Sequence, residues 1–155
     1  MKLAKVFKEN KQFTLFSILA LVVVGVAVFA PQIAPYDPLD AVMLESLQAP
    51  SSAHPFGTDK LGRDLLSRVI FGTRTSLIMT LCLVAVIFVI GTFLGVIAGY
   101  FGGIVDGVIM RIADMMISFP GLVLAIAIAG MLGPNLVNAV ISIAAVSWTK
   151  YARLA

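Results

Sequence analysis

The sequence predicts an all-α fold, a polytopic transmembrane helical bundle, and three observations carry that expectation. Of 155 residues, 60% are hydrophobic and 12% charged, with mean hydropathy +1.04. A single soluble core could not hide so much apolar surface from water. Residues 75–149 contain only three charged side chains, Asp106, Arg111 and Asp114. Uncharged runs also recur at lengths near the ~20 residues with which a helix crosses a ~30 Å hydrocarbon layer.

The first span is expected at 13–30, where Phe13 to Ala30 forms 18 residues without a charge. A cleaved signal peptide competes, because the run follows a basic stretch and ends in Val28-Phe29-Ala30. The run exceeds the usual ~7–15 residue signal core and Pro31 follows the candidate cleavage point, which favours an uncleaved anchor. Lys2, Lys5, Lys8 and Lys11 precede the span and place residues 1–12 in the cytoplasm. They supply most of the net charge of +3. A basic head of this kind is not the charged face by which a protein binds nucleic acid.

Residues 31–74 are then expected outside. Pro31, Pro35 and Pro38 disfavour helix at their start. The stretch HPFGTDKLGRDLLSRVIFGTRTSL, 54–77, gathers six acidic and basic side chains into a mostly apolar chain. After a His54-Pro55-Phe56-Gly57 turn, Thr58 or Asp59 is placed to cap an interfacial amphipathic helix over 58–71. Leu61, Leu65 and Val69 would form its apolar stripe, while Asp59 with Arg63, Lys60 with Asp64, and Asp64 with Arg68 stand four residues apart. Such a helix lies in the membrane surface before the chain turns at Gly72. These charges read either as a positioning device or as a contact for a partner.

The second span, 77–100, is uncharged, and Gly91, Gly95 and Gly99 recur every four residues as a helix-packing face. A turn at Phe101-Gly102-Gly103 leads to a third span, 104–130, which Pro120 and Gly121 should kink or divide. A fourth, 136–149, ends where Trp148 and Tyr151 suit an aromatic belt, with Lys150 and Arg153 on the cytoplasmic side.

The wording of these stretches resembles one family. HPFGTDKLGRDLLSR with GTRTSL, APYDP after the first span, GYFGGIVDGVIMRIADMMISFP and SWTKYARL appear in the order seen in permease subunits of peptide and nickel ABC importers. The resemblance implies a type I importer in the cell inner membrane. Two permease subunits form a heterodimer, two cytosolic ATPases consume ATP, and an extracytoplasmic solute-binding protein delivers cargo. Family permeases have six spans and an ATPase-coupling helix between the fourth and fifth. About four spans are expected here, and the chain reads as the N-terminal part of such a permease. The cargo implied is nickel or a di- or oligopeptide, with SWTKYARL slightly closer to the nickel members.

Charged groups at the bilayer centre cost ~2.5–3.5 kcal/mol each, so Asp106, Arg111 and Asp114 should be paired or near an interface. Two readings stand: structural pairing, with Arg111 and Asp114 sharing a face, or partners that exchange along the pathway. Ser118, Asn135, Asn138, Ser142 and Ser147 are the polar candidates for the pathway or for contacts between subunits. No metal site is expected: Met110, Met115, Met116 and Met131 do not share a face, thioethers suit nickel poorly, and His54 is the sole histidine. Cys82 reads as a small buried hydrophobe. No Gly-Lys-Ser/Thr phosphate loop occurs, so the chain is expected to bind no cofactor and ATP to belong to partner subunits. No catalytic arrangement typical of an intramembrane enzyme occurs either. A small four-helix assembly factor is the other alternative.

Overall fold

The computed structural model describes residues 10–155; Lys2, Lys5 and Lys8 lie outside them. Among the described residues the ordered elements are helices, and a single isolated bridge joins Thr58 and Asp64. The chain divides into two compact units, one ending at Ile78 and the other covering Met79–Ala155.

In the first unit, α1 spans Lys11–Val28 and α2 is a single turn, Ala30–Ile33. The α1 side chains are apolar almost all round, and only Ala27 is buried, as suits a helix whose solvent is lipid. Pro31 was expected to exclude helix. It sits instead in the first turn of α2, where a missing N–H costs nothing. A single 3₁₀ turn, Met43–Glu45, follows.

The interfacial helix expected over 58–71 is not formed as such: α3 starts at Leu65 and runs to Phe101. Asp59 is not its cap but the pivot of a tight turn. Its Oδ1 accepts from the amides of Leu61, at 2.8 Å, and Arg63, at 3.0 Å. Gly62 closes the turn at φ +75°, a conformation that side chains resist. A Cβ there would also collide with the Val42 carbonyl. The proposed stripe fails with the helix, since Leu61 lies in the turn and Val69 is exposed; Ser67 and Ile70 face inward.

Nor does the chain turn at Gly72, for α3 is continuous there. Its 37 residues give a length of about 55 Å, well beyond a ~30 Å hydrocarbon layer. Arg68 and Arg74 lie in its N-terminal part, ahead of the uncharged run.

In the second unit, α3 gives way at Gly102 and Gly103, both with positive φ, to α4, Gly103–Ser118. The expected third span is then broken at Phe119-Pro120. α5, Gly121–Leu132, leaves at 93° to α4. Pro120 takes the residue before it into extended backbone, which ends α4. Its carbonyl accepts from Val123 and Leu124 and so starts α5.

After Gly133, α6 covers Leu136–Ala152, packing along α5 and touching α4. By length and composition α1 and α3 can cross a membrane, and α4 with α5 can do so as one bent span. α6 is shorter, at 17 residues.

Gly91 and Gly95 are buried against α6, whereas Gly99 is open. A Cβ on Gly91 would stand 2.6 Å from the Trp148 carbonyl oxygen, and one on Gly95 would meet Ala152. Phe88 meets Tyr151 edge-on, with centroids 5.9 Å apart. Tyr151 is therefore a packing residue between α3 and α6. Cys82 was expected inside, yet it is exposed on α3.

Replacing Gly95 with Leu should force α3 and α6 apart at a cost of about 1–3 kcal/mol, seen as a lower apparent melting temperature in detergent. Gly99→Leu, with nothing near it, should leave that temperature unchanged. Gly62→Ala should cost at least about 1–2 kcal/mol through its backbone angle alone. Limited proteolysis between residues 43 and 63 would reveal it.

Candidate functional site: a charged clamp and a bent-helix groove

The charged stretch between the helices is built around Asp64, the residue that caps α3. Asp64 Oδ2 accepts from the Ser67 amide and the Ser67 hydroxyl, both at 2.7 Å. This gives a carboxylate partner to a donor that the first helical turn leaves unsatisfied. Ser67 Oγ in turn accepts from the amide of Tyr36, at 3.1 Å, tying the segment after α2 to the start of α3.

His54 was expected to be a plain turn residue, but it is buried at 6% exposure in the same cluster. Its Nδ1 lies 3.0 Å from Asp64 Oδ1 and its Nε2 lies 3.3 Å from Glu45 Oε2. The Tyr36 ring covers it, with centroids 4.9 Å apart. Glu45, His54, Asp64, Ser67 and Tyr36 thus form one hydrogen-bonded chain linking four separate pieces of sequence.

Asp59 and Arg63 pair as their spacing suggested, though across a turn and not along a helix, with Nη2 to Oδ2 at 2.8 Å and Nε to Oδ2 at 2.9 Å. Asp64 does not pair with Arg68; Arg68 reaches Asp59. Lys60 is exposed and gives its carbonyl, not its ammonium, to the cluster, accepting from Ser46 Oγ. The Arg63 side chain holds the Asp59 carboxyl down to about 2, against the desolvation that opposes it. Burial pushes Asp64 upward, but the Ser67 hydroxyl and amide and then His54 outweigh it, so its pKa lies below the ordinary value.

The second region is the crook of the α4–α5 bend. A groove of about 410 Å3 lies there, bordered by Phe119, Leu122, Ala125, Val146, Ser147 and Lys150. A shallower one of about 390 Å3 lies at the α5–α6 turn and includes Asn135. Of the polar pathway candidates, Ser147 and Asn135 therefore line open space.

The others are occupied with backbone. Ser118 Oγ donates to the Met115 carbonyl at 2.6 Å, and Ser142 Oγ, fully buried, donates to that of Asn138 at 2.6 Å. Asn138 Nδ2 donates to the carbonyls of Leu132, at 2.7 Å, and Gly133, at 3.1 Å. Asn135 Oδ1 accepts from the Val137 amide at 2.9 Å and caps α6. In lipid a polar side chain beside an unpaired carbonyl is more use to the helix end than to a solute.

Asp114 does not pair with Arg111. It pairs with Arg153 and joins α4 to the end of α6. Arg111 is exposed on α4, and Asp106 lies half-buried in the first turn of that helix, where a negative charge opposes the dipole favourably. The Asp114–Arg153 pair could not be found from local spacing, because 39 positions separate its members. Among the described residues no three His, Cys, Asp or Glu side chains are placed to hold a metal ion.

Both lowered carboxylates give the same pH dependence. Their folded pKa values lie below the unfolded 3.8, so their contribution is complete above that value and fades as pH falls below it, for Asp59 toward about 2. Pepsin cleavage within residues 43–63 of membrane-embedded protein should rise as pH drops through this window. Asp59→Asn should flatten that rise.

Comparisons with known proteins bear on the chain's family. Residues 91–155 match the family described as "Binding-protein-dependent transport system inner membrane component". Residues 2–50 match the "N-terminal TM domain of oligopeptide transport permease C". The chain is similar to a dipeptide transport system permease protein of Haemophilus influenzae, 40% identical over 96% of this chain and 52% of the relative. It is similar also to a glutathione transport system permease protein of Pectobacterium atrosepticum, 42% identical over 86% and 45%. A nickel transport system permease protein of Escherichia coli is 40% identical over 77% and 43%. The chain spans about half the length of these curated relatives. With permease-family matches at both its N-terminal and its C-terminal parts, the chain belongs to the inner-membrane permease components of binding-protein-dependent transport systems.

Proposed function

We propose that this chain serves in the permease of an ABC importer, moving a small solute inward by alternating access. It pairs with a second, related permease subunit; two cytosolic ATPases hydrolyse ATP, and an extracytoplasmic solute-binding protein presents the cargo. The observation that supports this reading is the family match over residues 91–155, which takes in the bent α4–α5 pair and α6 that embraces it. The chain carries no phosphate loop of its own and performs no covalent chemistry. Its N-terminus lies in the cytoplasm, as the Lys-rich start requires.

The geometry suggests how the work divides. α3 and α6, joined at Gly91 and Gly95, form a stiff pair; the Phe119-Pro120 break supplies the give. Opening and closing of the groove in that crook would then expose Ser147 and Lys150 to one side at a time. The relatives are named for dipeptide, glutathione and nickel transport, and the predominance of peptide-like solutes among them supports a cargo of that class. An assembly factor of four helices gains nothing from these relatives.

Tagged protein should co-purify with a second permease and an ATPase. In a deletion strain, complementation should restore uptake of labelled dipeptide rather than of radioactive nickel. Ser147→Ala should lower uptake with little loss of protein in the membrane. Recovery of the tagged chain with neither partner, or complementation of neither uptake, would overturn the reading.

A further inference from the structure

We propose that His54 is a proton-operated latch that fastens the Met43–Glu45 turn to the capped start of α3. The ring sits between two carboxylates, Asp64 at its Nδ1 and Glu45 at its Nε2, with Tyr36 over its face. A doubly protonated imidazole donates from both nitrogens and satisfies both acids. A neutral one carries a single N–H. Its other nitrogen then turns a lone pair toward an anionic oxygen, and one of the two contacts must open.

The structure decides which. Asp64 is fixed, because its side chain is 1% exposed and its second oxygen is held by the Ser67 amide and hydroxyl. The Glu45 side chain is 42% exposed and can swing into water. The neutral ring therefore keeps its hydrogen on Nδ1 and releases Glu45. Asp37 and Asp40 border the same small recess, together with Tyr36, Glu45, His54 and Asp64.

Release has a defined reach. The Glu45 amide donates to the Val42 carbonyl at 2.8 Å, and the Glu45 carbonyl accepts from Thr58 Oγ1. Leu47 donates to the Asp59 carbonyl at 3.0 Å, while the Gln48 amide donates to Thr58 Oγ1 at 2.8 Å. Loosening Glu45 loosens this ladder, whereas the cap at Asp64 and Ser67 stays made. Across the histidine range of about pH 5–8 the segment is thus tighter at the acid end than at the alkaline end, whichever side of the membrane it faces. The latch stands independently of the transport reading.

Hydrogen–deuterium exchange on the full-length protein in lipid nanodiscs tests this, with each amide rate divided by its intrinsic rate at that pH. Histidine changes charge between about pH 5 and 8. Protection of the Glu45, Leu47 and Gln48 amides should fall at least about tenfold across that range, the size expected for losing one charged hydrogen bond. The Ser67 amide should not change. Glu45→Gln should keep the protection high at both ends, since a carboxamide can donate to the neutral Nε2. His54→Gln should remove the pH response. An unchanged wild-type protection, or the same fall in the Glu45→Gln chain, would refute the latch.

Discussion

Lipid offers no hydrogen bonds, and the polar side chains of the apolar half of this chain answer that constraint. The helix ends and breaks leave carbonyls and amides without intrahelical partners. Asp64 meets the need at the start of α3, Asn135 at the start of α6, and Asn138 at the carbonyls that close α5. Ser118 serves the last turn before the proline break. These residues are spent on architecture. Their apparent suitability for a solute pathway reflects the same property, the ability to donate or accept where water is absent.

This explains how far the sequence could be read. The helical class, the apolar spans, the Gly102-Gly103 turn and the break at Pro120 were legible, because each depends on local composition or on one residue's backbone chemistry. So was the contact face at Gly91 and Gly95, though not its end at Gly99, which depends on where α6 stops. The start of α3 was misplaced because Thr58 or Asp59 offers itself as its cap, five or six residues ahead of Asp64, which caps it. Asp59 is followed by a glycine three positions on and folds into a turn; Asp64 is followed by Ser67 and caps.

What stayed hidden required distant pairing. His54 carried no local sign of burial, since Glu45 and Asp64 reach it from opposite directions along the chain. The Asp114–Arg153 pair likewise joins two helices that sequence spacing cannot relate. The i to i+4 rule found Asp59 with Arg63 for the wrong reason: a turn of matching span brings them together as well as a helix does.

The contact of α3 with α6 through Gly91 and Gly95 has a mechanical consequence. At these two glycines backbone approaches backbone, leaving few rotamers there to absorb a displacement, so the two helices are held closely at that point. Compliance is favoured where the peptide ladder is already interrupted, above all at the sharp 93° bend over Phe119 to Gly121. A membrane protein assembled this way concentrates its bending in a short flexure and keeps the rest rigid.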